Sequence, residues 1–409
     1  MTEAWIIDGV RSPRGRGKPG VGSLSEIHPQ RVMAQVLNGL KDKVGFDPAD
    51  VEDVVAGNGS GTGDHAHDIA RMSVLDAGWP ITTPGVTLHR FCGSGQQAVS
   101  FAAMGIMAGH QNLVIGGGVE SMSRYSPDHT DGFTANNQHL FEQYPLIPQG
   151  ISADLIATLE DFSREDVDAY AVRSQERTER SIEEGRFADS LVPIYHDDGK
   201  LALDRDEHPR PGTTMESMEG LKPSFEKMGT TKFEGQARTF DDICKDIYPE
   251  IDKVSHVHHA GNSSGVVDGA GAILLSSPDF AKAHGLKARA RIHMTATAGA
   301  EPVIMLTAPG PAAEICLNKA GMTKDDIDLF EINEAFAAVV LRFQRDIGVE
   351  DDKINVSGGA IALGHPIGAT GPMLIQTVLS ELERQDKSTA LIAMCTGGGM
   401  GTATIIERI

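Results

Sequence analysis

Short β-rich runs and amphipathic helical stretches alternate along this chain, and the alternation occurs twice. The first round predicts a strand over residues 4–8, a helix over 29–44, a strand over 51–56, a helix over 96–108 and a strand over 112–116. The second predicts a strand over 290–297, a helix over 311–320, a strand over 327–332, a helix over 370–383 and strands over 389–394 and 402–407. A glycine-rich turn precedes the later helix in each round, at Cys92 and over 358–364. Runs of period two alternating with stretches of period 3.6 give an α/β fold, with helices covering both faces of a mixed sheet in two similar halves. Residues 121–251 read differently, with more charge and proline and a helical stretch over 164–185 that opens on Ser163 and Asp166, close to a capping box. The predicted organisation is an N-terminal domain of 1–120 with 252–278, an inserted loop domain of 121–251, and a C-terminal domain of 279–409.

A length of 409 residues exceeds one ordinary core and suits two or three domains. The formal net charge of −21 argues against a nonspecific nucleic-acid binder or a binder of anionic membranes, so any seat for a phosphorylated ligand has to be locally basic. Four cysteines, Cys92, Cys244, Cys316 and Cys395, lack paired spacing and read as free thiols in a reducing compartment. A strand begins almost at once, leaving no room for a secretory signal, and no apolar run approaches the ~20 residues that cross a bilayer. The last residues are Glu-Arg-Ile rather than a peroxisomal tripeptide, and a cytoplasmic enzyme without membrane insertion is expected.

Three glycine-rich segments carry the candidate chemistry: Arg90-Phe-Cys92-Gly-Ser-Gly, Gly358-Gly-Ala-Ile-Ala-Leu-Gly-His365-Pro and Cys395-Thr-Gly-Gly-Gly-Met-Gly. A thiolate is a strong nucleophile and leaves an acyl carbon readily. A histidine raises its thiolate fraction, and glycine lets backbone N–H groups approach an oxyanion. The second cysteine is the discriminating part. Hydrolysis needs one nucleophile and one base, whereas making or breaking a carbon–carbon bond also needs a group that moves a proton beside the thioester.

In these segments, and in Gly117-Gly-Val-Glu-Ser-Met-Ser123, Gly261-Asn-Ser-Ser-Gly265 and Asn333-Glu-Ala-Phe-Ala337, the chain resembles the thiolases over nearly its whole length. The resemblance implies a duplicated fold of five layers, αβαβα, with a loop domain that holds coenzyme A. It implies Cys92 as nucleophile, His365 as its base and Cys395 as the acid and base at the acetyl carbon. One oxyanion site would use His365 with a water held by Asn333, and the other the N–H groups of Cys92 and Gly397. Ser264 would contact the pantetheine arm and Lys222 the nucleotide, with His259 and Gln149 as further coenzyme A or substrate contacts. No permanently bound cofactor is implied, only coenzyme A as cosubstrate, and the family assembles as homodimers or homotetramers.

The chain departs from the family in places. His89 stands where asparagine is usual before the nucleophile motif, and Ile147-Pro-Gln149-Gly resembles the Pro-Met-Gly stretch of degradative thiolases, lacking the histidine of short-chain biosynthetic ones. Residues 229–256 form an extra stretch, followed by His258-His259 where Thr-Ala is common, expected to reshape the coenzyme A entrance. The cluster His256, His258, His259 is not read as a metal site, since strand alternation sends only two of them to one face and no fourth ligand is evident. Two other glycine runs fail as nucleotide motifs: Arg14-Gly-Arg-Gly-Lys18 is followed by Pro19, and 57–63 lacks dinucleotide spacing. The expected reaction is degradative cleavage of 3-ketoacyl-CoA, or its reversal, with a short-chain acetoacetyl-CoA-forming acetyltransferase as the alternative. A decarboxylating ketoacyl synthase is disfavoured by Cys395. A noncatalytic acyl-CoA carrier would have no need of a proton-transferring thiol.

Overall fold

A computed structural model describes residues 2–125, 137–232 and 237–409. The first half comprises β1 (Ala4–Arg11), β2 (Gly15–Arg16), α1 (Pro29–Val44), β3 (Asp53–Gly57), α2 (Ile69–Asp76), β4 (Val86–Leu88), α3 (Ser94–Met107) and β5 (Leu113–Ser121). There follow α4 (Gln138–Gln143), α5 (Gln149–Leu159), α6 (Arg164–Glu183), β6 (Ile194–Tyr195), β7 (Leu201–Leu203), α7 (Met215–Glu219), α8 (Glu226–Gly229) and α9 (Phe240–Ile247). Then come β8 (Val267–Ser276), which completes the first half, α10 (Pro278–Ala283), β9 (Ala290–Gly299), α11 (Pro309–Ala320), β10 (Leu329–Ile332) and α12 (Ala337–Ile347). The chain closes with α13 (Ala360–Leu363), α14 (Thr370–Arg384), β11 (Thr389–Thr396) and β12 (Met400–Arg408).

The strand path is β10-β11-β12-β9-β1-β8-β5-β3-β4, with β2 beside β8. Each half repeats one pattern: β1 and β9 pair antiparallel with β8 and β12, which pair antiparallel with β5 and β11, which run parallel to β3 and β10. The half-sheets join where Ala4, Trp5 and Ile6 pair with Ile292, Arg291 and Ala290. Three apolar cores account for the layering. One binds α1 and α2 to the outer face of the first half-sheet, one binds α11 and α12 to the outer face of the second, and the middle core packs α3 and α14 between them. On β11 the alternation is plain: Ala390, Ile392 and Met394 enter the middle core while Leu391, Ala393 and Cys395 enter the outer one.

Local chemistry explains the element ends. The first helix starts at Pro29, capped by the His28 side chain, and ends at Gly45 in the left-handed region with φ 80°. At α6 the capping box has both arms, Ser163 accepting from the Asp166 N–H and Asp166 accepting from the Ser163 N–H. Several expectations change. The first strand extends to Arg11, and the glycine-rich stretch over 358–364 contains the short helix α13. Pattern reading passes over α2, β4, β8 and α12. The strand β8 is buried at all ten positions and rich in Gly and Ala, so it shows no polar alternation. Of the extra stretch 229–256, residues 233–236 lie outside the described residues, as do 126–136. No helix among the described residues is long and apolar enough to cross a membrane.

Candidate active site

Cys92 lies in the turn between β4 and α3, two residues before the helix begins. Phe91 beside it holds φ +46°, a left-handed conformation uncommon for a bulky side chain. Ser94 pins that turn, accepting the Arg90 N–H at 2.8 Å and donating its hydroxyl to the Phe91 carbonyl at 2.6 Å. His89 donates from Nε2 to the Gly59 carbonyl at 2.8 Å and packs edge-on against Phe91, so it braces the turn from outside. At Gly93 a Cβ would stand 2.7 Å from the Thr396 methyl, so only glycine lets the Cys92 turn meet the end of β11.

The His365 segment adjoins from the other half. The His365 N–H donates to Gly265 O at 2.9 Å, and Gly95 at the start of α3 backs onto the Gly368 carbonyl. The imidazole's tautomer follows from its partners. Thr370 Oγ1 donates to Pro366 O at 2.9 Å, so at its 2.6 Å contact with His365 Nδ1 it must accept. That leaves Nε2 as the bare acceptor, facing Asn333 Nδ2 at 3.3 Å. Burial, with the charge of Arg14 adding to it, pushes His365 down to about 3, and the ring is a neutral base.

Asn333 extends the β10 to β11 ladder by one residue, its N–H donating to Ala393 O at 3.0 Å. Its Oδ1 is buried with no partner among the described residues. The neighbouring Glu334 is anchored by Tyr170 Oη at 2.8 Å, Ser174 Oγ at 2.7 Å, Asn355 Nδ2 at 3.1 Å and the Ile361 N–H at 3.0 Å. This carboxylate ties the Asn333 segment to α6 and to the helix preceding His365, so it fixes both side chains from behind.

Cys395 is fully buried near the end of β11. Burial and the nearby Cys92 charge push its thiol well above the ordinary cysteine range. Cys92 itself is pushed up to about 11, first by burial; the Gln149 side chain, its own N–H and the Gly397 N–H hydrogen-bond the sulfur and oppose that rise, while the Glu120 charge adds to it. Glu120 is buried at the end of β5. It accepts from the N–H groups of Gly59 at 2.7 Å and Gly368 at 2.8 Å, and burial still pushes it up to about 7.

Asn333 thus joins His365 to the strand that carries Cys395, and Cys395 in turn lies within electrostatic reach of Cys92. The coenzyme A candidates differ from one another. Ser264 is half-buried in the turn after Gly261, its N–H on Ala335 O at 2.9 Å. Lys222 is exposed in the loop before α8, and the adjoining Leu221 lines a cavity of about 140 Å³ with Ala260, Gly261, His208 and Arg210. His259 corrects an expectation. It is 1% exposed, its Nε2 donates to Asp168 Oδ1 at 2.8 Å and its Nδ1 accepts the Gly261 N–H at 3.0 Å, so it supports the turn and has no ring nitrogen left for a ligand. His256 and His258 both bond Asp154, through Oδ2 and Oδ1 at 2.7 Å each, and His258 Nε2 accepts the Ala338 N–H at 3.4 Å. The three imidazoles thus pair with separate carboxylate oxygens. Among the described residues no cluster suited to a metal ion is present.

Sequence reasoning gave no role to Glu120, Glu334, Thr370 or Asp154. One signal was available for Glu120: a carboxylate inside Leu-Val-Ile-Gly-Gly-Gly-Val-Glu-Ser, a run buried at every position, requires dedicated donors.

Comparison with known proteins agrees with this geometry. The thiolase N-terminal domain family matches residues 4–242 and the thiolase C-terminal domain family residues 286–408. A steroid 3-ketoacyl-CoA thiolase of Mycobacterium tuberculosis is 40% identical, covering 100% of this chain and 95% of that protein. A beta-ketoadipyl-CoA thiolase of Acinetobacter baylyi is 37% identical with 100% of both covered, and an acetyl-CoA acetyltransferase of Allochromatium vinosum is 37% identical over 99% of this chain and 98% of its own. The crystal structure of the Bacillus anthracis acetyl-CoA acetyltransferase superposes with a TM-score of 0.84 at 34% identity, covering 100% of this chain and 99% of that one. The chain belongs to the thiolase family.

Proposed function

We propose that this thiolase works degradatively, cleaving 3-ketoacyl-CoA with coenzyme A to acetyl-CoA and a shortened acyl-CoA. The observation that carries the reading is a second buried thiol, Cys395, in electrostatic reach of a Cys92 sulfur that already meets the N–H groups of Cys92 and Gly397. His365 Nε2 takes the Cys92 proton and the sulfur attacks the 3-keto carbon, whose oxyanion is held by those two N–H groups. The C2–C3 bond breaks, its electron pair forms the acetyl-CoA enolate, and Cys395 delivers a proton to C2. His365 Nε2 and a water held by Asn333 hold the enolate oxygen. A second coenzyme A gives its thiol proton to Cys395 and displaces the acyl group, and the Cys92 thiolate departs.

Ser264 and Lys222 are assigned to coenzyme A, which thiolases use as cosubstrate, and the exposed Lys222 suits a phosphate. Self-association is part of the reading: Phe101 and Met104 on α3 are 48% and 44% exposed, Val86 on the edge strand β4 is exposed as well, and light scattering should give a dimer or tetramer rather than a monomer. The degradative assignment is supported by two of the relatives above, named as thiolases of steroid 3-ketoacyl-CoA and of beta-ketoadipyl-CoA. The test is coenzyme A-dependent loss of 3-ketoacyl-CoA across a chain-length series, beside Cys92→Ser and Cys395→Ser. Cleavage of longer chains that needs both cysteines is expected. Activity confined to acetoacetyl-CoA would make it a short-chain acetyltransferase, and binding without cleavage would sink the enzymatic reading.

A further inference from the structure

Three segments meet behind Asn333 and His365, and one carboxylate lies at their junction. Ser264 donates its N–H to Ala335 O at 2.9 Å, Gly265 to Ala360 O at 3.2 Å and His365 to Gly265 O at 2.9 Å, so the turn of Ser264 is laced to both reactive segments. Glu334 is 1% exposed inside this lacing. Its four donors, Tyr170, Ser174, Asn355 and the Ile361 N–H, are all neutral. At Gly359 a Cβ would stand 2.3 Å from the Glu334 Cδ, so glycine lets the chain before His365 close on the carboxylate.

Two of these supports continue to the cavity of about 140 Å³. Ile361, whose N–H Glu334 accepts, lines that cavity, and so does Gln175, the residue after Ser174 on α6. Gln175 Oε1 accepts the Arg210 N–H at 3.0 Å, which ties the cavity's Arg210 to the same helix. Ser174 Oγ also accepts the Gly359 N–H at 3.2 Å, so α6 grips the start of α13 directly. Asn333 is the next residue to the carboxylate, and His365 follows α13 by two.

We propose that Glu334 is a positioning residue that makes proton transfer at the acetyl carbon depend on the filling of this cavity: the nucleotide end of coenzyme A seated there holds α6 and α13, and Glu334 passes that hold to Asn333 and His365. The inference rests on the thiolase reading and goes beyond it, giving the remote end of the cosubstrate a part in the rate as well as in affinity. Binding energy from a non-reacting part of a substrate raises the rate only where it serves to orient groups at the reacting centre. A buried carboxylate with four donors supplies the connection, and it exchanges no proton with the substrate.

The test compares deuterium entry from deuterium oxide into the methyl group of acetyl-CoA and of acetyl-pantetheine, which lacks the nucleotide, using the full chain and its variants. In the native protein the maximal rate should be roughly tenfold or more higher with acetyl-CoA, as for substrates whose remote binding serves the reacting centre. Glu334→Gln, of nearly the same shape, should lower the acetyl-CoA rate roughly tenfold and the acetyl-pantetheine rate less than about twofold, bringing the two together. Ser174→Ala removes one donor and keeps the carboxylate; it should narrow the same gap by a smaller factor, and it stands in should the glutamine variant not fold. Equal losses with both thioesters, or no loss with either, would overturn the proposal, because Glu334 would then be a support indifferent to the cavity. Native rates alike for the two thioesters would overturn it as well, and so would an unchanged KM for acetyl-CoA in Arg210→Ala, since the nucleotide would then sit elsewhere. Failure of the thiolase reading looks different: the native protein would exchange neither thioester.

Discussion

The two halves carry one backbone plan and put different chemistry at the same place in it. Gly57 ends β3 opposite Gly118 on β5, and Ile332 ends β10 opposite Ala393 on β11. One residue past each first strand stands an asparagine, Asn58 and Asn333, and two residues past each partner position stand Glu120 and Cys395. The correspondence continues at the edge, where β4 lies parallel to β3 and Ile354 makes a parallel bridge to Phe330 of β10. In the first half the pair is a closed structural unit, with Asn58 Nδ2 on Val119 O at 2.8 Å and Glu120 satisfied by backbone donors from both halves. In the second, Asn333 keeps an unpartnered Oδ1 and Cys395 faces the nucleophile's field. Duplication supplies two sites of equal geometry. One braces the seam between the halves, and the other is left polar, unsatisfied and able to react.

Breaking the reactive side should cost far more than breaking the brace. Cys92→Ala should abolish acyl transfer, at least ~10³-fold in kcat by rapid quench, while leaving the melting temperature within a few degrees of the native value. Asn333→Ala should lower kcat by roughly 10²–10³-fold, as expected for an oxyanion donor, again with little change in thermal stability. A melting point that falls in step with activity would place Asn333 with the brace instead.

Glu120→Gln tests the other side. It removes the charge that opposes the Cys92 thiolate, so the alkylation midpoint of Cys92 should fall by up to about one pH unit, while weaker acceptance from Gly59 and Gly368 lowers the melting temperature. Unchanged values for both would remove Glu120 from the seam. The smallest effect concerns the insertion. His256, despite burial, is raised to about 9 by hydrogen bonds to Asp154 and Asp241, above its ordinary 6.5. A histidine whose folded pKa is raised contributes its full stability below about 6.5 and loses it as pH climbs through about 9. Urea midpoints from pH 6 to 9.5 should decline across that window in the native protein and decline less in His256→Gln.

The duplicated plan was legible in the sequence because strands such as 4–8 and 389–394 are apolar enough, and helices such as 29–44 amphipathic enough, to show their period. The strand β8 was not, because Gly and Ala buried on both faces leave no contrast. The proposed reactive side chains were legible for a related reason: cysteines and a histidine set in glycine turns stand out chemically. The groups that position them were not. Glu334 and Thr370 act through partners up to 164 residues away or through a tautomer, and neither relation has a local signature. His259 misled because a histidine at a turn looks alike whether it faces a ligand or a buried aspartate, and only the fold brings Asp168 to it.

The central claim is that the two cysteines divide the work, Cys92 carrying the acyl group and Cys395 moving the proton at the acetyl carbon. The most direct test mixes Cys395→Ala with acetyl-CoA in deuterium oxide and follows two signals: acetylation of Cys92 by mass, and deuterium entering the acetyl methyl group by NMR. The account predicts that Cys92 still reaches close to the native level of acetylation, though more slowly because Cys395 also protonates the departing coenzyme A thiolate, while deuterium incorporation falls at least ~10²-fold, within the range for loss of a general acid–base group. Incorporation at the native rate would contradict it, because some other group would then be moving the proton.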